Sequence, residues 1–272
     1  MRLTQHRAGA PVAMAMGAHP DDIEFMMAGT LLRLKGAGAE IHLWNIANGH
    51  CGTMVHSRNE IIRLRREETR ASAELAGAAI HPPLVDDLSI EYDPETLARV
   101  TAVVRQVRPN ILLVPSPDDY MEDHQNVSRL GVSGAFCRGM KNFITHPPMA
   151  PWAGETVVYH ALPYGLRDGM RRLVRAGQYV DVGPVMEKKT AMLACHRTQK
   201  EWLDASQGVD AYLHTMTQMC RDVGRMSGRF ESAEGWRRHS NLGFAGDPSW
   251  DPLSELLGGD CWTDPEYERS LG

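Results

Sequence analysis

Two short acidic segments that contain histidine carry the residue types found in catalytic metal sites. Residues 19–22 read His-Pro-Asp-Asp, and a second segment runs from Asp118 to His124. Imidazole and carboxylate together suit a borderline cation such as zinc, and an open catalytic zinc site needs three protein ligands and a water. If the two segments converged, their carboxylates would repel one another unless a divalent cation neutralised them. The residue types therefore predict a metal site if the fold brings both segments together.

Each segment taken alone has a simpler structural interpretation. Asp21 and Asp22 could cap a helix and interact with the positive end of its dipole. The segment from Asp118 to His124 could be a solvated acidic loop with a surface histidine. The metal-site interpretation therefore depends on where the two segments lie in the fold.

The hydrophobic pattern of the first half predicts βαβ units, because short apolar runs alternate with helical spacing. The predicted strands are 12–18, 41–47, a run around 84–85, and 111–114. The predicted helices are 24–35, one that follows a capping box at Ser57 and Glu60 and ends near Gly77, 94–107, and one from about 123 to 140. Both acidic segments then follow strands, at the carboxyl edge where open α/β sheets bind ligands.

The second half has a weaker pattern, with strands predicted near 156–160 and 178–182 and helices near 185–195 and 209–223. We expect an α/β fold with a Rossmann-like, mostly parallel sheet and helices on both faces. Residues 1–240 are expected to form a single domain. Residues 241–272 have little periodicity and are expected to form an irregular C-terminal arm.

The composition argues against several classes of protein. Of the 272 residues, 43% are hydrophobic and 23% are charged, as in ordinary globular proteins. The 29 Lys and Arg against 34 Asp and Glu give a net charge of −5, so we expect no nucleic-acid partner. The five cysteines form no CxxC pair, and we find neither a signal peptide nor an apolar run of about 18 residues. We expect a cytoplasmic protein that does not span a membrane.

The order of the motifs resembles the LmbE-like/PIG-L family of zinc-dependent N-deacetylases. The resemblance rests on AHPDD at 18–22, AGTL at 28–31, NGHCGT at 48–53, RREETRASAELAG at 65–77, KTAMLACHRTQ at 189–199, and the later acidic Asp-His pair. It implies a zinc cofactor, or another divalent metal, and an N-acyl sugar or glycoconjugate as a small-molecule substrate. It also suggests a homo-oligomer.

Carried over by position, the resemblance implies that His19, Asp22 and His124 bind zinc. Asp21 would be the general base that activates the attacking water. An acetamide would then be cleaved to an amine and acetate. Asp123 would assist catalysis as the usual partner of a further family histidine.

That further histidine is missing, because family members commonly read HxDH where this chain has Met121, Glu122, Asp123 and His124. In the family the first histidine stabilises the oxyanion or helps to protonate the leaving amine, and methionine can do neither. Candidate substitutes are His196, assigned here to catalysis, and His50, assigned to substrate binding on the rim, together with His160. Each could equally be a packed or surface histidine.

Arg65 and Glu68 fall on or beside the apolar stripe of their helix. Arg65 is expected to hold a substrate hydroxyl or anion, with Glu68 orienting it. The alternative is an i,i+3 ion pair on a partly buried flank. Lys189 and Gln199 are interpreted as structural.

The leading hypothesis is a zinc hydrolase that removes an acetyl or other acyl group from the nitrogen of an amino sugar or sugar conjugate. One alternative is a metal-dependent hydrolase of another amide or an ester. The other is a metal-binding or ligand-binding protein of the same fold, with catalysis weakened by Met121.

Overall fold

The computed structural model describes residues 9–207 and 211–272, without the side chains of residues 203–207. Its strands are β1 Val12–Gly17, β2 Glu40–Asn45, β3 Ala79–Ile80, β4 Ile111–Val114, β5 Val157–Ala161, β6 Gln178–Asp181, β7 Ala233–Arg238 and β8 Cys261–Thr263. They form one sheet in the order β3-β2-β1-β4-β5-β7-β6-β8. Pairing is parallel from β3 to β5 and antiparallel from β5 through β7 and β6 to β8. The parallel half has the Rossmann strand order, so the predicted fold class is confirmed.

The helices are α1 Asp22–Met26, α2 Ala28–Gly36, α3 Arg58–Ala76, α4 Pro94–Val107, α5 Glu122–Cys137, α6 Met186–Leu193, α7 Arg197–Gln207, α8 Ala211–Ser227, α9 Pro252–Leu257 and α10 Pro265–Ser270. Apolar side chains fill both faces of the sheet. Ala13 and Ala15 of β1 belong to one buried cluster, whereas Met14 and Met16 belong to another. Such two-sided burial explains why β1 is a continuous apolar run. No helix within the described ranges combines the length and apolar character needed to cross a membrane.

The single helix predicted over 24–35 is in fact two helices, α1 and α2, which are separated at Met27. The buried carboxylate of Glu234 accepts hydrogen bonds from the backbone amides of Gly29 and Thr30, at 2.8 and 2.7 Å. Lys189 donates to the carbonyl oxygen of Phe25 at 2.9 Å and pairs with Glu234. These two side chains take up backbone groups that a continuous helix would have paired internally.

The third strand is Ala79–Ile80, so its predicted position around 84–85 is wrong. Pro82 and Pro83 lack the amide hydrogens that a ladder requires, and Val85 makes only an isolated bridge to Ala47. The predicted capping box is also wrong, because the side chain of Ser57 makes no capping hydrogen bond.

The second half contains elements that the hydrophobic pattern did not predict, namely α7, β7 and the short elements near the C-terminus. The helix predicted over 209–223 is α8, and Val209 lies outside the described residues. The sequence predicted irregular structure at the C-terminus, but residues 252–270 contain regular elements. Strand β8 pairs with β6, and Asp251 and Asp264 cap helices that each begin with proline. Aspartate followed by proline is a helix-start signal that the sequence did contain. The domain boundary at residue 240 stays a prediction.

Buried His160 yields a prediction for the pH dependence of stability. Its Nδ1 lies 3.0 Å from Ser128 Oγ, and its Nε2 lies 3.1 Å from His239 Nδ1. Burial, together with the charge of His239, lowers the pKa of His160 to about 4 from 6.5. Between these two pH values the unfolded chain binds a proton that the folded chain does not, so this group's contribution to stability is lost as pH falls from 6.5 to 4.

We therefore expect His160→Gln to flatten the pH dependence of the unfolding free energy between pH 6.5 and 4, by up to about 3 kcal/mol. Urea denaturation at a series of pH values measures this. The matched control is His214→Gln, on an exposed position of α8, which should leave the pH dependence as in the wild type. A variant slope equal to that of the wild type would contradict the assignment.

Candidate metal centre and active site

Neighbouring strands β1 and β4 bring the two acidic segments together. The chain leaves β1 at Gly17 and turns through residues 18–21 into α1, while the loop after β4 leads into α5. In the resulting cluster, His19, Asp22 and His124 each offer a ligand atom, and these atoms all lie within 4.8 Å of one another. The convergence on which the metal-site interpretation depends is therefore present.

The carboxylate of Asp22 lies between two imidazoles. Its Oδ2 is 3.6 Å from Nδ1 of His19 and 3.4 Å from Nε2 of His124. The opposite nitrogen of each ring is held by a second carboxylate: Asp123 lies 2.9 Å from His19, and Asp119 lies 3.0 Å from His124. Carboxylates of this kind orient histidine ligands toward zinc. The donor set thus fits a divalent cation of the zinc class.

The charges within this cluster compensate one another strongly. Although burial acts in the opposite direction, hydrogen bonds to Asp123 and Asp22 raise the pKa of His19 to about 10. Burial likewise opposes the change at Asp22, whose pKa His124 and His19 lower well below its usual value. A cation that binds here must displace protons from both imidazoles, so its affinity should fall as pH decreases.

Asp21 has an unusual backbone conformation, with φ at 111° and ψ at −25°. Positive φ is rare for a residue with a side chain and is often retained at functional sites. The buried carboxylate accepts a hydrogen bond from the Tyr212 hydroxyl at 2.7 Å. Burial and the neighbouring Asp22 raise the pKa of Asp21 to about 6, against the opposing charge of Arg65. A carboxylate with such a pKa is suited to accept a proton near neutral pH.

Asp21 and the three candidate ligands line one cavity of about 340 Å³. Its lining includes the polar residues Cys51, Gly52, Arg65, Asp87 and Gln199 and the apolar and aromatic residues Phe25, Met26, Met27, Tyr120, Met121, Leu162, Tyr164 and Trp202. A β-carbon at Gly52 would collide with the Arg65 guanidinium and lie 2.8 Å from Gln199 Oε1, so these three residues form one polar group, the polar side of the cavity. The ring of Tyr164 contacts the rings of Tyr120 and Phe25, and these three residues form the aromatic side.

Arg65 lines the cavity beside Gly52, while its predicted role in substrate binding stays a prediction. Its guanidinium is buried and donates to the carbonyl oxygens of Pro20, at 3.5 Å, and Gly52, at 3.3 Å. Its Nε has no hydrogen-bond partner among the described residues. A β-carbon at Gly49 or Gly52 would collide with the Arg65 side chain, so the glycines of NGHCGT provide space for it. Glu68 does not orient Arg65; its carboxylate accepts hydrogen bonds from Thr198 at the start of α7.

The histidines considered as substitutes for the residue at position 121 lie elsewhere. Buried His196 is 3.3 Å from Glu24, His50 contacts Asp87, and His160 pairs with His239. None of these three is among the described residues that line the cavity, whereas Met121 is. His196 therefore lies beside the site and not in it. Its charge lowers the pKa of Asp21.

Several contributors to the site were not assigned from the sequence. Asp119 orients His124, and its place in the acidic loop that follows β4 was the available signal. Tyr212 of α8 holds Asp21 from 191 positions along the chain, where no motif marks it. Gln199, interpreted as structural, lines the cavity and leaves its buried Oε1 without a hydrogen-bond partner among the described residues.

Comparison with known proteins gives a matching family and related enzymes. Residues 14–135 match the family model described as PIG-L: GlcNAc-PI de-N-acetylase. A diacetylchitobiose deacetylase from Thermococcus kodakarensis is 28% identical over 225 residues, which cover 80% of this chain and 79% of the relative. A 4-oxalmesaconate hydratase from Pseudomonas putida is 24% identical over 225 residues, covering 80% of this chain and 84% of that protein.

Solved structures share the fold. An N,N'-diacetylchitobiose deacetylase from Pyrococcus horikoshii matches with a TM-score of 0.72 and 22% identity, covering 89% of each chain. A 4-carboxy-2-hydroxymuconate hydratase from Pseudomonas putida matches with a TM-score of 0.68 and 22% identity, covering 84% of this chain and 95% of that one. Residues 14–135 thus match the PIG-L family, and the resemblance inferred from the motifs is confirmed.

Proposed function

We propose that this protein is a zinc-dependent hydrolase that removes an acetyl or related acyl group from the nitrogen of an amino sugar or sugar conjugate. The observation that carries the proposal is the cluster of His19, Asp22 and His124, with the carboxylate of Asp21 beside it on the same cavity. The family description and the deacetylase from Thermococcus kodakarensis support this choice of substrate class.

The residues of the cluster divide the chemistry among them. Zinc held by His19, Asp22 and His124 would supply Lewis acidity toward a carbonyl oxygen and increase the acidity of a water. Asp21 would take a proton from that water as its oxygen attacks the amide carbon, and would return a proton to the departing nitrogen. The C–N bond then breaks to give a carboxylate and an amine. Tyr212 keeps the Asp21 carboxylate in place through its 2.7 Å hydrogen bond.

Tyr120 is our candidate for the hydrogen-bond donor that the missing histidine would otherwise supply. Its ring lies edge-on to His124, with centroids 5.8 Å apart, and it lines the cavity next to Met121. Partial loss of hydration, followed by the charge of Asp22, raises the pKa of Tyr120 above its ordinary value, although the side chain is 55% exposed. The hydroxyl therefore stays protonated and can donate to an oxygen that gains negative charge during the reaction.

The two sides of the cavity suit the two parts of such a substrate. Sugar hydroxyls would bind Arg65 and Gln199, which both line the cavity. The acyl group would lie toward the aromatic side at Phe25 and Tyr164. Assembly as a homo-oligomer and a cytoplasmic location remain predictions.

Hydration of an unsaturated carboxylate is a second candidate, because the relative from Pseudomonas putida is a hydratase that matches 80% of this chain. Both reactions use water as the nucleophile. A panel of N-acyl sugars, other amides and esters, and unsaturated dicarboxylates, assayed by product analysis, separates these candidates. Release of free amine supports the proposal. Turnover of the dicarboxylates alone would replace it, and absence of any turnover by metal-loaded protein would favour the binding-protein alternative.

Metal analysis tests the ligand assignment. After dialysis against metal-free buffer, we expect about one zinc-class ion per wild-type chain and its loss in His124→Ala, because that change removes one of three ligands. Mass spectrometric metal analysis measures both, with His214→Ala as the control. Wild-type protein that carries no metal and does not bind added zinc would contradict the assignment.

Replacement of the proposed base separates catalysis from metal binding. Asp21→Asn keeps the size of the side chain and removes its ability to accept a proton, so kcat/KM should fall about 10²–10⁴-fold. Metal content and thermal stability are measured on the same preparation and should remain close to those of the wild type. A variant that keeps wild-type kcat/KM would remove Asp21 from the mechanism.

Substitution of Arg65 tests the polar side of the cavity. Arg65→Lys keeps the charge but loses the planar set of donors, so KM for the sugar substrate should rise about 10-fold or more, with a smaller change in kcat. Arg63→Lys, on the exposed side of the same helix, is the matched control and should change neither constant. Equal KM values for Arg65→Lys and wild type would exclude Arg65 from substrate binding.

A further inference from the structure

We propose that His50, Cys51 and Asp87 form a second cation site, for a zinc-class divalent ion, beside the cavity. The three side chains offer an imidazole nitrogen, a thiol sulfur and a carboxylate oxygen, and these atoms all lie within 4.8 Å of one another. None of the three belongs to the cluster of His19, Asp22 and His124. Thiolate and imidazole ligands favour zinc over magnesium or calcium.

The distances between the donor atoms are close to those of a zinc site. Nδ1 of His50 lies 3.9 Å from Cys51 Sγ and 3.9 Å from Asp87 Oδ2. Tetrahedral zinc with bonds of about 2.0–2.3 Å separates its ligand atoms by roughly 3.4–3.6 Å. Cys51 Sγ and the Asp87 oxygen lie within 4.8 Å, so rotation of the His50 side chain and of the exposed Cys51 side chain would bring the three atoms onto one ion.

The carboxylate of Asp87 is already held in place by the backbone of the loop that carries His50 and Cys51. Its two oxygens accept hydrogen bonds from the backbone amides of Gly49, at 2.6 Å, and Cys51, at 2.8 Å. Each carboxylate oxygen keeps a further lone pair for a cation. His50 Nδ1 accepts a long hydrogen bond of 3.3 Å from the Asp87 amide and lies 3.9 Å from Cys51 Sγ, and an ion would replace both contacts.

Access and charge also favour a cation at this position. Cys51 is exposed, and both Cys51 and Asp87 line the cavity, so an ion can enter from solvent and keep an open coordination position toward the cavity. The neighbouring Leu88 amide donates to Asp123, which in turn holds His19. The second site would thus be adjacent to the first but share no ligand with it.

Cobalt provides a direct spectroscopic test, because a thiolate bound to cobalt absorbs in the near ultraviolet by charge transfer from sulfur. Wild-type protein with one equivalent of bound zinc is titrated with cobalt. We expect a second bound ion per chain and a new sulfur-to-cobalt band. In Cys51→Ser the band should be absent, and the second ion should bind at least about 100-fold more weakly. Loss of a residue that only supports a ligand would weaken binding by ~10–100-fold.

Matched variants make the result specific. Cys195→Ser changes a half-buried cysteine outside the cavity and should keep the band and both ions. His50→Gln should weaken the second ion as Cys51→Ser does, and circular dichroism checks that each variant is folded. His124→Ala should lose the first ion yet retain the band, so failure of the proposed function and failure of this site are distinguishable. A wild-type titration without the band, or a Cys51→Ser variant that binds two ions with wild-type affinity, overturns the proposal.

Discussion

The carboxylate of Asp22 is the group on which the geometry of the site depends. Its Oδ2 accepts hydrogen bonds from the backbone amides of Ala18 and His19, at 2.9 and 2.7 Å, which fixes the turn after β1. The same oxygen faces imidazoles from two separate segments, at the ends of β1 and β4. One partly buried charge thus shapes the backbone and draws together side chains that lie more than 100 positions apart in the sequence. With Asp22 directed to the imidazoles, Asp21 is left facing Tyr212 in a strained conformation.

The sequence predicted the parts of the site that follow from local pattern. Neighbouring parallel strands end at one edge, so the segments after β1 and β4 had to meet once both strands were recognised. The partners of these segments were not predictable in the same way. Tyr212 hydrogen-bonds Asp21, and Glu234 hydrogen-bonds the start of α2, although both come from distant parts of the sequence. Strand β7, which carries Glu234, has charged residues where a buried strand is expected to be apolar. Burial of those charges depends on partners that pattern alone does not reveal.

Met121 stands where the family motif commonly has histidine, and its surroundings show which other side chains are near that position. The methionine lines the cavity, and among the described residues none of the histidines considered as its substitute does so. Each of those histidines already has a partner: Glu24 for His196, Asp87 for His50, and Ser128 with His239 for His160. Under the proposed function, Tyr120, which lines the cavity next to His124, would supply the hydrogen bond instead.

The break between α1 and α2 has a consequence for how this domain can be inherited or recombined. The matched family region ends at residue 135, yet α1 and α2 are completed by Lys189 and Glu234 from beyond it. Without those side chains, the carbonyl of Phe25 and the amides of Gly29 and Thr30 would be buried and unpaired, and each such group carries a substantial free-energy cost. Residues 14–135 alone would therefore lack the side chains that pair these backbone groups. A segment cut at the end of the family match would lose the break between α1 and α2 that places Asp22 and the turn before it.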